Sequence, residues 1–197
     1  MLRTACREAA SWTKPLKVAV NVSAAQLYNS SFVQELHQIL LETGLPPRRL
    51  EIEITETALV RDFNRALATL RQIKALGVAI AMDDFGTGYS SLSNLRAFPF
   101  DRIKIDGSFI KSVNSNEQAA TIVRVVLGLG RGLGLPVIAE GVETGAELKF
   151  LQDELCTEVQ GYLLGRPAAI GSFRGLTHGD VVSDQSDDIS LSRAKSA

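Results

Sequence analysis

An α/β architecture built on one parallel sheet is predicted by three observations. Six short β-rich runs alternate with longer segments of helical periodicity, the rhythm of repeated βα units. The runs are apolar on both faces, as strands covered by helices must be, except at their C-terminal ends. The chain has 197 residues, one domain's worth, whereas a complete eight-stranded α/β barrel takes about 250.

In chain order, Lys17–Asn21 (KVAVN) reads as the first strand. A helix is expected over Ser31–Thr43, where Phe32, Leu36, Ile39 and Leu40 recur at helical spacing before Gly44, Pro46 and Pro47 stop it. The second strand is Leu50–Thr55 (LEIEIT). The helix Asp62–Leu76 follows, with Ala66, Leu67, Leu70 and Ile73 on one face and Gly77 as its C-terminal cap. Val78–Asp83 is the third strand, and a short helix is expected from near Leu92, with Ser91 in position to cap it. Arg102–Asp106 is the fourth. A helix starts at Glu117 and carries Ile122, Val123 and Val126. Gly128, Gly130, Gly132 and Gly134 predict that it frays early, at about 1 kcal/mol for each interior glycine. Pro136–Ala139, a helix over Ala146–Glu154, and Thr157–Gln160 complete the series. From His178 the chain turns serine- and aspartate-rich without apolar periodicity. The organisation expected is a single domain over 1–177 and a disordered tail over 178–197.

Composition narrows the function classes. With 21 basic and 22 acidic residues the net charge is -1, which offers no general attraction to a nucleic acid polymer or an anionic membrane. No apolar run reaches the roughly 18 residues of a membrane span, and no charged-then-apolar leader follows Met1, so a cytoplasmic location is expected. Cys6 and Cys156 lack metal-ligand spacing and read as buried small apolar residues; His37 reads as a surface residue. The glycines at 128–134 precede a strand instead of following one, which excludes a dinucleotide-binding loop.

Chemistry is concentrated where the strands end. Asn21, Glu53, Asp83 with Asp84, Lys104, Glu140 and Gln160 fall at the C-terminal ends of the six strands in turn. Alternation places Glu51, Glu53 and Thr55 on one face, opposite Ile52 and Ile54; it sets Lys104 against Ile103 and Ile105, and Asp83 against Met82. An ionisable group inside a buried sheet is costly unless it is paired or binds metal, and in α/β barrels this end carries the active site. Carboxylates with one amide oxygen and no histidine make a hard oxygen cage, suited to Mg²⁺ or Mn²⁺ and poorly to zinc. Two such ions about 4 Å apart are a recurring arrangement for phosphodiester hydrolysis. The residues alone therefore point to a metal-dependent phosphoesterase. The loop Asp83-Asp84-Phe85-Gly86-Thr87-Gly88-Tyr89-Ser90-Ser91 is placed to approach a ligand.

The segments VNVSAAQL (20–27), EITETAL (53–59), MDDFGTGYSSLSNL (82–95), IKIDGSFI (103–110), IAEGVET (138–144) and QGYLLGRP (160–167) resemble, in order and spacing, the EAL-domain family of bacterial cyclic-di-GMP phosphodiesterases. The resemblance covers about Leu2 to Phe173. It implies an incomplete TIM-like (β/α) barrel with about six of eight strands, hydrolysis of cyclic-di-GMP to pGpG with Mg²⁺ or Mn²⁺, and a homodimer. By position, Asn21, Glu53 and Asp83 match metal ligands, and Asp84 matches a residue that helps hold a second metal. Glu140 matches the general base, Lys104 the lysine beside the attacking water and the phosphate, and Gln160 a polar residue of the site floor. Arg166 lies where a basic residue nears the substrate, and Glu56 matches the glutamate that tethers the loop at 83–92.

One departure is expected to matter. The Glu-Ala-Leu triplet that names the family, whose glutamate is a metal ligand, does not occur in this sequence. On the family template two strands would precede Met1. The alternative function is thus a degenerate module that binds cyclic-di-GMP or a protein partner without hydrolysis, and the chain is also readable as a fragment of a longer sensory protein. Two open sheet edges predict poor solubility or dimerisation.

Overall fold

The computed structural model describes residues 1–87 and 92–178. Its elements are α1 (Leu2–Ser11), β1 (Val18–Asn21), α2 (Ala24–Leu27), α3 (Phe32–Thr43), β2 (Leu50–Thr55), α4 (Glu56–Leu59), α5 (Phe63–Ala75), β3 (Ala79–Phe85), α6 (Leu92–Ala97), β4 (Arg102–Ile105), α7 (Gly107–Ile110), α8 (Glu117–Leu133), β5 (Val137–Ala139), α9 (Gly145–Asp153), β6 (Glu158–Val159) and α10 (Arg174–Thr177). All six strands run parallel and pair in chain order, β1-β2-β3-β4-β5-β6. Their C-terminal ends therefore share one rim.

The core lies between the sheet's outer face and the helices. Ile52, Ile54, Ile80, Met82, Ile103 and Ile105 alternate outward and are fully buried, against helix residues such as Leu36, Leu70, Ile73 and Val123. The caps follow the local sequence. Asp62 accepts a hydrogen bond from the Arg65 amide, Asn116 accepts from the amides of Gln118 and Ala119, and Thr144 with Glu147 forms a capping box. The ends of the sheet are tied behind the strands: Lys14 donates from its amide to the Thr177 carbonyl and from its ammonium to the Gly175 carbonyl, both at 3.0 Å.

Three expectations are corrected. The helix from Glu117 does not fray early; α8 runs 17 residues, through Gly128, Gly130 and Gly132, to a left-handed cap at Gly134. Gly130 is the reason. A Cβ there would lie 2.2 Å from Val137 Cγ2 and 2.8 Å from the Leu135 carbonyl, so the glycine lets α8 pack directly on β5. The close packing offsets the weak propensity. Cys156 is half-buried, unlike the fully buried Cys6. Four-residue helices directly after β1, β2 and β4 were not anticipated, being too short to show periodicity. His37 is exposed, as expected. The capping role assigned to Ser91, and the tail from residue 179, lie outside the described residues. No helix among the described residues is long and apolar enough to cross a membrane.

Candidate active site

The inner face of the sheet is polar where the outer face is apolar. Glu51 and Glu53 on β2, Ala81 and Asp83 on β3, and Arg102 and Lys104 on β4 all point inward by the alternation that points the isoleucines outward. Near the rim these side chains form one cluster. The Lys104 ammonium lies 2.7 Å from Glu53, 3.1 Å from Asp83 and 2.7 Å from Glu140. Its side chain is 4 % exposed, against 10 %, 11 % and 19 % for the three carboxylates, so the contacts are made away from bulk water.

Simple alternation would send Asp84 to the helix side. A bulge prevents this: between the pairs Met82–Ile103 and Phe85–Ile105, two β3 residues oppose the single residue Lys104. Asp84 takes the left-handed conformation there, at φ 54°, which aspartate tolerates better than most side chains. As a result Asp83, Asp84 and Glu140 each bring a carboxylate oxygen within 4.8 Å of the others.

The loops beyond the strands hold this rim together. Glu56, 2 % exposed at the start of α4, accepts a hydrogen bond from the Gly86 amide at 3.2 Å, tying the segment after β3 to the end of β2. Gly107 after β4 lies against Gly141 after β5, where a Cβ on Gly141 would come within 3.0 Å of the Gly107 Cα. Gly161 after β6 presses on Val142, whose carbonyl would lie 2.1 Å from an added Cβ. These backbone contacts set Asp106, Glu140 and Gln160 around a cleft of about 500 Å³, also lined by Lys111, Glu143 and Tyr162. Arg166 stacks its guanidinium 4.6 Å from the centre of the Tyr162 ring. Asn21 sits at the C-terminal end of β1, opposite Glu53 in register, and is exposed on the inner face.

Electrostatics separates the roles. Burial acts to lower the Lys104 pKa, but hydrogen bonds to Glu140 and Glu53 outweigh it and hold the ammonium well above its usual value. Burial pushes the Glu140 carboxyl up; Lys104 opposes the rise, and the charges of Asp83 and Glu53 add to it. Burial also raises Asp84, helped by the neighbouring Asp83 and Asp106. Four carboxylates thus face one ammonium. The Asp83 Oδ1 atom is buried and lies within charge range of Lys104, yet no hydrogen bond is aligned on it. An acceptor left without a donor, among surplus negative charge and oxygen-only ligands, fits a hard divalent cation.

A second charged tier lies one inward position below, and its pairing is absent from the sequence expectations. Arg102 contacts Glu51 at 3.0 Å and Glu158 at 2.8 Å. Each member sits two residues before a residue at the C-terminal end of its strand: Glu51 before Glu53, Arg102 before Lys104, Glu158 before Gln160 just past β6. That spacing was the available signal.

A protein-family model for the EAL domain matches residues 1–167. An uncharacterized signaling protein of Caulobacter vibrioides is 58% identical over 173 residues, covering 88% of this chain and 21% of that protein. The chain spans about a fifth of the length of the curated relatives it matches. Among solved structures, the phosphodiesterase of Pseudomonas aeruginosa MucR in complex with c-di-GMP superposes with a TM-score of 0.84 at 40% identity, covering 87% of this chain and 71% of that one. The manganese and cyclic-di-GMP complex of Klebsiella pneumoniae BlrP1 gives 0.79 at 34% identity, covering 84% and 43%. The six parallel strands are accordingly a curled portion of a TIM-like α/β barrel. By its motifs, its fold and the match over residues 1–167, this chain belongs to the EAL domain family.

Proposed function

We propose that the chain is a cyclic-di-GMP phosphodiesterase module that hydrolyses its substrate to the linear dinucleotide pGpG with Mg²⁺ or Mn²⁺. The observation that carries this reading is the buried contact of Lys104 with Glu53, Asp83 and Glu140, beside Asp84, with Glu140 also lining a cleft of about 500 Å³. Asn21, Glu53, Asp83 and Asp84 would hold the cations. Bound there, divalent ions neutralise charge on the phosphoryl oxygens and make water more acidic.

The chain's own residues then divide the work. Glu140, its carboxyl raised by burial, is suited to take a proton from the attacking water, because a stronger base accepts it more readily near neutral pH. As water adds to phosphorus, the bond from phosphorus to the ribose 3′ oxygen breaks and that oxygen takes a proton from solvent, leaving a 5′-phosphate and a free 3′ hydroxyl. Lys104 remains protonated throughout and lies where it can offset the negative charge that builds on the phosphate. Gln160, beside the cleft, and Arg166, stacked on Tyr162 at its edge, orient the nucleotide. We assign the module to the cytoplasm and to a homodimer, the Glu56–Gly86 tether carrying the loop that the family resemblance connects with dimerisation.

Purified chain incubated with cyclic-di-GMP and Mn²⁺ should yield pGpG, read by chromatography. Binding of the dinucleotide with no pGpG at high protein concentration would overturn the catalytic reading. That outcome would leave the module that binds cyclic-di-GMP or a protein partner without hydrolysis.

A further inference from the structure

The Arg102 tier touches neither the cleft nor the three clustered carboxylates, and stability alone accounts poorly for it. Arg102 and Glu51 have side chains only 18 % and 7 % exposed. The buried Nε and Oε2 atoms face each other at 3.0 Å without an aligned hydrogen bond. Burial raises the Glu51 carboxyl even with Arg102 and Lys17 opposing it. A desolvated pair of this kind is often no more stabilising than apolar side chains in its place. Position is the better account. Glu51 is on β2 and Glu158 on β6, four strands apart, a separation of about 19 Å in a flat sheet. One guanidinium reaches both, so the contact exists only while the inner face is tightly curled.

Lys104 makes the corresponding contacts at the rim, but it cannot both span the carboxylates and yield them. Glu53 and Asp83, which it holds, are oxygens that a bound cation needs. When Lys104 releases them, the described inner face keeps one side-chain ionic tie between β2 and the later strands, and that tie is Arg102. We propose that Arg102 is a positioning residue. Its arm to Glu51 sets β2, and with it Glu53, at the spacing cation binding requires; its arm to Glu158 sets β6, and with it Gln160, at the spacing the dinucleotide requires. The inference rests on the metal-dependent reading of the rim.

The test uses the 197-residue chain and three measurements: Mn²⁺ affinity by calorimetric titration of the metal-free protein, KM and kcat for cyclic-di-GMP at saturating Mn²⁺, and the urea midpoint of the metal-free protein. Arg102→Met alone strands a buried carboxylate and can fail to fold, so Glu51→Gln/Arg102→Met is the decisive variant, both charges being removed together. It should keep the parent's urea midpoint and bind Mn²⁺ at least tenfold more weakly. Glu158→Gln should hold Mn²⁺ affinity within twofold and raise KM severalfold with kcat little changed. A double variant that binds Mn²⁺ within twofold of the parent overturns the positioning role, as does a Glu158→Gln variant with unchanged KM. A parent chain that binds no Mn²⁺ overturns the metal reading as well, which separates the two failures.

Discussion

The Lys104 and Arg102 tiers share β2 and β4, where their members lie two residues apart, and each sets one cation among carboxylates. They differ in charge. At the rim, Glu53, Asp83, Asp84 and Glu140 face a single ammonium, and Glu140 also lines the cleft. Below it, Glu51 and Glu158 face one guanidinium, away from the cleft. The rim therefore carries negative charge that its own lysine cannot cancel, and a divalent cation relieves it. The lower tier is close to balanced and has no such demand. Two constructions this alike teach that a buried cation among carboxylates points to a cation-binding site only where the charge is left unbalanced.

The largest expected effect falls on chemistry at the rim. Glu140→Gln keeps the side chain's size but removes the carboxylate proposed as the base, so pGpG formation should drop by about 10²- to 10⁴-fold with cyclic-di-GMP binding retained. Turnover within tenfold of the parent would remove Glu140 from that role.

Next come the contacts that hold the tiers in register. Gly161→Ala places a Cβ 2.1 Å from the Val142 carbonyl and 2.3 Å from its amide, so the loop must shift and the urea midpoint should fall by the equivalent of about 1–3 kcal/mol or more. Gly132→Ala is the control: nothing lies within 4 Å of its Cβ, and within α8 the exchange should stabilise by about 0.5–1 kcal/mol. Equal effects at the two sites would contradict the packing account.

The smallest effect is a pH dependence. Burial raises the folded-state carboxyl of Glu140, so its proton is held more tightly folded than unfolded. That contribution is complete below the ordinary glutamate pKa of about 4.3 and is lost as pH rises through the raised folded value. In the metal-free protein, the urea midpoint of Glu140→Gln should gain on the parent's across that window. Parallel curves would indicate that ionising Glu140 costs the fold nothing.

Much of this was legible in the sequence, because alternation and helical spacing are local. Leu50–Thr55 matched in both limits, and the polar residues at the strand ends do gather on one rim. What was missed depends on non-local geometry. Asp84 joins Asp83 only through the bulge opposite Lys104, where strict alternation would separate them. Helix α8 persists through its glycines because Val137 packs where the Gly130 side chain would be. Glu51 was seen to share a face with Glu53, but its pairing to an arginine two strands away, and through it to Glu158 four strands away, requires a curl that no stretch of sequence specifies.

The contrast between the tiers is tested most directly by titrating Mn²⁺ into metal-free parent, Lys104→Met and Glu51→Gln/Arg102→Met. Removing the rim cation leaves the carboxylates unopposed, so Lys104→Met should bind Mn²⁺ at least tenfold more tightly while losing turnover; removing the lower pair should weaken binding by a similar factor. Opposite signs are the expected result. Unchanged or weaker binding in Lys104→Met would contradict the claim that the rim is a cation site held in waiting by its own lysine.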